Sequence, residues 1–228
     1  MSVQQLPLAL RYPPDQRLES FVDAPEGVIV HLHALAQVQG ADWLYLAGAT
    51  GTGKTHLALA LCAATEAAGR RAAYLPMIAA SGRLRHALEA LEGNDVVALD
   101  GLEAIAGVRD DEVALFDFHN RARSAGLNVL YTARAAPDAL GLDLPDLRSR
   151  VSQCIRVALP TPDDESRREI LCDRAQRRGL ILEDAAVDWL LTRTDRDLGS
   201  LVLLLDRLDR ESLAAQRRIT VPFLKQVI

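Results

Sequence analysis

The sequence predicts an α/β fold, in which a parallel five-stranded sheet is flanked by helices and followed by a small all-helical domain. Five short apolar runs alternate with stretches of helical periodicity over the first 160 residues, and only helical patterns follow them. Strands that alternate with helices pair in parallel, because each helix carries the chain back across the sheet. The predicted strands are 43–47, 71–75, 95–100, 127–132 and 154–159.

Helical periodicity fills most of the segments between these strands. Leu84, Leu88 and Leu91 recur at helical spacing, and Gly93 follows them as a stop signal. Gly69 ends the helix after the first strand in the same way. The predicted helices of the α/β domain are 25–39, the segment from residue 56 to Gly69, 79–91 and 114–123.

Residues 1–17 precede this α/β domain, which we assign to residues 18–160. Pro7 and the pair Pro13-Pro14 favour an extended segment that is only loosely tied down. The residues alone leave two interpretations open. The segment is either an N-terminal strand packed on the domain or a short peptide that docks in a groove of another protein.

The helical domain is predicted for residues 161–228. Thr161 is a suitable N-cap and Pro162 suits the first helical position. The acidic run 163–165 complements the positive end of a helix dipole. The predicted helices are 163–178, 183–194, 197–216 and a short final helix after Val221-Pro222.

Composition limits the function classes. The chain of 228 residues has a net charge of −5, which argues against a dedicated DNA-binding surface. Cys62, Cys154 and Cys172 lack the spacing of a metal site, so we expect reduced, buried or half-buried packing residues. We find no signal peptide and no apolar run of membrane-spanning length, and therefore expect a soluble, cytoplasmic protein without a membrane partner.

The segment Gly48–Thr55 matches G-x-x-x-x-G-K-[ST], the phosphate-binding loop of nucleotide-binding proteins. It follows an apolar strand and opens a helix, the context that the motif requires, so a chance glycine-rich turn is a poor alternative. Backbone N–H groups and Lys54 would hold the phosphates, and Thr55 would ligate Mg²⁺. The predicted nucleotide-binding residues of this segment are Gly48, Thr50, Gly51, Thr52, Gly53, Lys54, Thr55 and His56.

Polar residues also end the third and fourth predicted strands. Asp100 is placed where an acid holds Mg²⁺ through water in such proteins, so Thr55 and Asp100 are the predicted metal residues. The hydroxyl of Thr132 either lies near the γ-phosphate or satisfies a turn, and the residues leave both open. Arg134 follows it and is expected to be solvated.

Two arginines, Arg148 and Arg150, precede the last strand. An arginine in this position could reach across a subunit boundary to a neighbour's γ-phosphate, as an arginine finger does. The residues alone favour the simpler interpretation of a solvated charge.

The combination of phosphate loop, strand-end acid and helical C-terminal domain resembles an AAA+ module. The run Asp100–Gly107 resembles the Walker-B region of the bacterial replication initiator DnaA and its relatives, and Leu144–Arg150 resembles their arginine-finger box. Phe21 and Val22 resemble the segment that frames their adenine pocket, which adds both to the predicted nucleotide-binding residues. The DNA-binding domain that ends the initiator has no counterpart here.

Among DnaA-related proteins, the chain resembles the Hda family, the regulatory inactivators of DnaA. Hda proteins begin with a sliding-clamp-binding motif of the form Q-L-x-L, which residues 5–8 match. The runs 205–210 and 215–223 also look like the end of an Hda protein. The resemblance implies that the clamp-binding residues are Gln5, Leu6, Leu8 and Leu10.

The resemblance also implies the roles of several other residues. Arg150 occupies the Ser-Arg position of the box, so it is the predicted finger rather than Arg148. AAA+ ATPases usually carry an acid directly after the Walker-B aspartate to polarise water, but this chain has Gly101, and Glu103 would need a local rearrangement to replace it. The lid position that usually carries a nucleotide-sensing arginine falls on Gly199.

Together these features predict a negative regulator of replication initiation that holds ADP, or ATP, with Mg²⁺ and has little ATPase activity of its own. It would dock on the DNA polymerase III β sliding clamp, meet DNA mainly through the clamp, and insert Arg150 at the ATP of DnaA. Self-association, such as a dimer that buries the finger, is left open. The alternatives are an ATP-hydrolysing helicase loader of the DnaC type and a non-catalytic clamp adaptor.

Overall fold

The computed structural model describes residues 16–193, 204–205, 207–208 and 219–227. These residues form a five-stranded sheet in which every strand pair is parallel, in the order β2-β3-β4-β1-β5. The five predicted strands are confirmed, each to within one residue at either end. They are β1 (Leu44–Ala47), β2 (Ala72–Pro76), β3 (Val96–Asp100), β4 (Asn128–Ala133) and β5 (Ile155–Ala158).

Helices cover the sheet and form the C-terminal domain. The predicted helix 197–216 falls mostly outside the described residues. Short 3₁₀ turns lie at Leu18–Ser20, Leu102–Ala104 and Pro137–Ala139. The helices are α1 (Val28–Gln37), α2 (Lys54–Ala67), α3 (Met77–Ala80), α4 (Leu84–Glu89), α5 (Arg109–Ser124), α6 (Pro145–Ser152), α7 (Asp164–Arg177), α8 (Asp184–Arg193) and α9 (Val221–Val227).

Side chains along β1–β4 alternate between two apolar cores. In β1, Tyr45 belongs to the core formed with α4, α5 and α6, whereas Leu44 and Leu46 belong to the core formed with α1 and α2. Burial on both faces explains why these four strands are almost continuously apolar in sequence, whereas one face of β5 is exposed. A third core joins the C-terminal helices through Leu171 and Leu190.

The helix predicted at 79–91 is wrong in one respect, because the chain breaks there into α3 and α4. Gly82 adopts a left-handed φ of +78° between the two helices. The buried carboxylate of Asp111, on α5, accepts the N–H groups of Gly82 at 2.6 Å and Leu84 at 3.2 Å. These bonds replace the helical hydrogen bonds that a continuous helix would make.

Two predicted helix starts also differ from the structure. The N-cap of α7 is Asp163 rather than Thr161, because the Asp163 side chain accepts the N–H of Ser166 at 2.8 Å. That bond lowers the pKa of Asp163. Helix α5 begins at Arg109, ahead of the predicted start at 114, because its acidic first turn hides the apolar periodicity.

The cysteines only partly follow expectation. Cys62 and Cys154 are buried, as predicted, but Cys172 is exposed, so the packing role predicted for it is wrong. In the part of the chain that the structure describes, no helix combines the length and the apolarity that a membrane span needs.

Candidate functional site

The phosphate loop connects β1 to α2 and is shaped by glycines. Gly51 and Gly53 have φ values of +83° and +89°, which residues with a Cβ rarely adopt. A Cβ built on Gly53 would also lie 2.4 Å from Cε2 of Phe21. Helix α2 begins at Lys54 directly after the loop, so its first backbone N–H groups are free to receive an anion.

Lys54 lies inside the curve of the loop. Its Nζ donates to the carbonyl of Gly48 at 2.6 Å and to that of Ala49 at 2.7 Å. Burial lowers the pKa of Lys54, while the nearby carboxylates of Glu103 and Asp100 act in the opposite direction. The ammonium group is therefore held at the place where phosphates would meet the loop.

Asp100 is the acceptor for three hydroxyl groups. Thr55 and Tyr74 each donate to its Oδ2 at 2.8 Å, and Thr132 donates to its Oδ1. Burial, together with Asp100, raises the pKa of the Tyr74 hydroxyl, so that group stays a donor. Thr132 in turn accepts the N–H of Gly101 at 3.0 Å, which makes it a support for Asp100.

The chemistry of Thr55 and Asp100 fits Mg²⁺. A hydroxyl and a carboxylate are hard oxygen ligands, and Mg²⁺ is commonly held by one or two such groups with water and substrate phosphates. Among the described residues, no cluster of three or more His, Cys, Asp or Glu side chains could hold a metal ion by itself. A cation here would therefore depend on phosphate oxygens for part of its coordination.

Arg134 is exposed, as expected, but it also forms an ion pair that was not predicted. Its Nε lies 3.1 Å from Oε1 of Glu103, and its backbone N–H donates to Oε2 at 3.1 Å. Gly101 adopts a left-handed φ of +84°, so the chain turns sharply just after Asp100. No sequence pattern indicated this pair, because α5 and β4 separate the two residues along the chain.

A cleft of about 1080 Å³ opens over the loop. Phe21 and Val22, the two residues predicted to frame the adenine, lie in its lining, and Ile170 of α7 contributes from the helical domain. The cleft thus has a phosphate-binding end, an apolar end and a wall formed by the lid. The other predicted residues in its lining are Thr50, Gly51, Thr52, Gly53, Lys54, Thr55, His56 and Asp100.

His56 connects three parts of the molecule, a role that the sequence did not indicate. Its Nδ1 lies 3.0 Å from Nη2 of Arg174 on α7, and its Nε2 lies 3.0 Å from the carbonyl of Arg17. Because a guanidinium only donates, Nδ1 accepts and Nε2 carries the proton. The helical domain is tied to the core a second time where Ser166 donates to Asp23.

Arg150 is exposed on the last turn of α6 and, within the described chain, does not belong to the lining of the cleft. Its neighbours Leu147 and Val151 are buried and anchor the helix. Arg148 is half-buried and reaches back to the carbonyl of Leu142 at 3.4 Å. The predicted clamp-binding residues Gln5, Leu6, Leu8 and Leu10 and the lid position Gly199 lie outside the described residues.

A phosphate loop on a parallel sheet of this strand order, an acid at the end of β3 and a helical lid define a nucleotide-binding protein of the AAA+ class. Residues 7–135 match the family of IstB-like ATP-binding proteins, and residues 164–228 match the lid domain of Hda. The chain belongs to the IstB-like ATP-binding proteins, its C-terminal domain matches the lid of Hda, and its fold is that of an AAA+ protein.

Solved structures share this fold. Domain III of the replication initiation protein DnaA from Thermotoga maritima has a TM-score of 0.76 at 20% identity, over 95% of this chain and 97% of that chain. AMPPCP-bound DnaA from Aquifex aeolicus has a TM-score of 0.66 at 21% identity, over 86% of this chain and 66% of that chain. The Thermotoga maritima RuvB Holliday junction branch migration motor has a TM-score of 0.66 at 20% identity, over 95% of this chain and 71% of that chain.

Proposed function

We propose that this protein is a nucleotide-bound negative regulator of replication initiation that stimulates hydrolysis of DnaA-bound ATP through Arg150. The observation that carries the proposal is the position of Arg150, exposed on α6 and outside the lining of the chain's own cleft. An arginine placed there can act on a neighbour's nucleotide but not on its own. The match to the Hda lid and the DnaA-like fold support DnaA as that neighbour.

The chain's own nucleotide, ADP or ATP, has a structural role in this proposal. The loop N–H groups and Lys54 hold the phosphates, while Phe21 and Val22 contact the base on the core side. Ile170 closes the cleft from the lid. A nucleotide bound in this way touches both domains and stabilises their arrangement.

The phosphate end is equipped to bind and poorly equipped to hydrolyse. Thr55 and Asp100 would hold Mg²⁺, which neutralises phosphate charge when bound. Gly101 supplies no side chain that could orient or deprotonate a water molecule. We therefore expect slow intrinsic hydrolysis and long retention of the bound nucleotide.

The proposed action in trans is electrostatic. Negative charge spreads over the γ-phosphoryl oxygens in the transition state of phosphoryl transfer, and the guanidinium of Arg150 would stabilise it. Arginine fingers supply roughly 10³–10⁵ in rate. Because Leu147 and Val151 fix α6 against the core, the guanidinium extends from a rigid base.

Docking on the sliding clamp would raise the local concentration of the regulator near DnaA. We assign this contact to Gln5, Leu6, Leu8 and Leu10, on the resemblance of these residues to the clamp-binding motif of Hda proteins. DNA would then be met mainly through the clamp.

The test measures hydrolysis of DnaA-bound ATP in the presence of clamp, DNA and this protein. Arg150→Ala should reduce the stimulation at least about 100-fold, in keeping with the loss of a finger. It should leave clamp binding intact. The matched control is Arg148→Ala, two residues away on α6, which should keep most of the stimulation.

Replacing Gln5 and Leu6 together with Ala should abolish clamp pull-down. Unimpaired stimulation by Arg150→Ala would reject the finger, and retained clamp binding in the double replacement would reject the docking site. Rapid turnover of the protein's own ATP, without any effect on DnaA, would instead favour a helicase loader.

A further inference from the structure

The residue after the Walker-B aspartate lacks a carboxylate, but another carboxylate lies beside that position. A Cβ built on Gly101 would lie 3.8 Å from Oε1 of Glu103, its nearest non-adjacent neighbour. Glu103 also belongs to the lining of the cleft. Its carboxylate therefore lies in van der Waals contact with the point where the side chain of an acid at position 101 would begin.

Glu103 is also close to the phosphate-binding end. It lines the same cleft as Lys54 and Asp100. Lys54 is the residue whose ammonium would meet the β- and γ-phosphates. The carboxylate thus lies near the place where ATP would be cleaved.

Both oxygens of this carboxylate are engaged by one residue. Oε1 lies 3.1 Å from Nε of Arg134, and Oε2 accepts the backbone N–H of Arg134 at 3.1 Å. The Glu103 side chain is 28% exposed and that of Arg134 is 66% exposed, so the carboxylate is the more enclosed partner. A carboxylate held by two donors is poorly placed to accept a proton from water.

We propose that Glu103 is a general base held in reserve for hydrolysis of the protein's own ATP, and that Arg134 restrains it. When Oε1 is released, Glu103 accepts a proton from a water molecule whose oxygen bonds to the γ-phosphorus. The bond from that phosphorus to the β–γ bridging oxygen breaks, and the products are ADP and inorganic phosphate. The inference goes beyond the proposed function, since that concerns the nucleotide of a partner.

The same pair also affects binding. An unpaired carboxylate beside Lys54 would repel the phosphates, and the guanidinium of Arg134 cancels that charge. Loss of Arg134 should therefore weaken nucleotide binding, and neutralising Glu103 should restore it. This coupling can be measured with a non-hydrolysable nucleotide, independently of turnover.

The experiment compares the full chain with Arg134→Gln, Glu103→Gln and the double variant. Steady-state ATP turnover and the Kd for AMPPCP are measured for each. Arg134→Gln should raise turnover at least tenfold, since a general base contributes typically 10²–10⁴. The double variant should lose this gain, because it lacks the carboxylate that would accept the proton, and Glu103→Gln alone should show no gain.

For AMPPCP, Arg134→Gln should raise the Kd several-fold and the double variant should restore it. Arg121→Gln is the matched control, because it breaks an ion pair of similar length, 3.0 Å to Glu92, at residues outside the cleft lining. It should change neither measurement. Arg134→Lys keeps the charge but loses Nε, so it should show a smaller rise in turnover. It replaces Arg134→Gln in the experiment if that variant does not fold.

Wild-type turnover in both Arg134 variants would overturn the proposal. So would a gain that persists in the double variant, or an AMPPCP affinity that Glu103→Gln does not restore. Stimulation of DnaA-bound ATP hydrolysis depends on Arg150 and should remain in Arg134→Gln. If the wild-type protein failed to stimulate hydrolysis of DnaA-bound ATP, the proposed function would be rejected and this inference would not be affected.

Discussion

At the scale of single residues, the phosphate loop depends on a contact that its motif does not contain. Phe21 comes from the N-terminal turn and lies so near Gly53 that a Cβ there would be 2.4 Å from its ring. The motif requires glycine for the backbone conformation, and the tertiary fold adds a steric reason. Phe21 and the phosphate loop therefore support each other.

Gly53→Ala should be more damaging than backbone strain alone explains. A left-handed alanine costs about 1–2 kcal/mol, and overpacking against Phe21 adds about 1–3 kcal/mol. We also expect ADP affinity to fall at least tenfold. Urea unfolding and ADP titration measure the two effects.

Gly69→Ala is the control, because Gly69 has a φ of +74° and open space around its Cβ direction. It should show the backbone cost of about 1 kcal/mol with unchanged ADP affinity. Equal effects of the two substitutions would mean that the Phe21 contact is unimportant.

At the scale of elements, a buried acid decides where the helices of the α/β domain break. Asp111 is 3% exposed and binds two backbone N–H groups in the turn between α3 and α4. Without these bonds both donors would be buried or half-buried without a partner. The position of α4 on the sheet thus depends on a side chain from α5.

Asp111→Ala should lower the unfolding free energy by about 2–4 kcal/mol, since hydrogen bonds to charged groups contribute about 1.5–3 kcal/mol each and unpaired donors add a penalty. Chemical denaturation measures the loss. Asp110→Ala, at an exposed neighbour on the same turn, should cost less than about 0.5 kcal/mol. Similar losses for the two would contradict the proposed role of Asp111.

At the scale of the whole molecule, lid and core meet at the nucleotide cleft through a few polar contacts. His56 links Arg174 of the lid to Arg17, and Ser166 links α7 to Asp23. A ligand that fills the cleft would add contacts on both sides. Nucleotide binding and lid position should therefore be coupled.

His56→Ala should weaken ADP binding about tenfold while leaving the core folded. At an ADP concentration 100 times the wild-type Kd, binding stabilises the wild type by about 2.7 kcal/mol and a tenfold weaker variant by about 1.4 kcal/mol. Thermal unfolding with and without ADP measures the difference. His86→Ala, at a side chain 87% exposed on α4, should behave as wild type; a normal ADP response in His56→Ala would count against the coupling.

Sequence patterns were enough to predict the five strands and their parallel pairing, the phosphate loop and the strand-end acid Asp100. These features are encoded locally, by apolar runs of strand length and by glycines whose backbone must receive phosphate. The resemblance in residues 100–107 and 144–150 then identified the relatives. Such signals can be recognised within a short segment, without reference to the rest of the chain.

The contacts between residues far apart in the sequence could be identified only in the folded chain. The pair Glu103 and Arg134 is separated by 31 residues, and His56 and Arg174 by 118. The break between α3 and α4 likewise depends on Asp111 from another helix. Parallel strands bring their carboxyl ends to one edge whatever the length of chain between them, so contacts at that edge leave no periodic signal in the sequence.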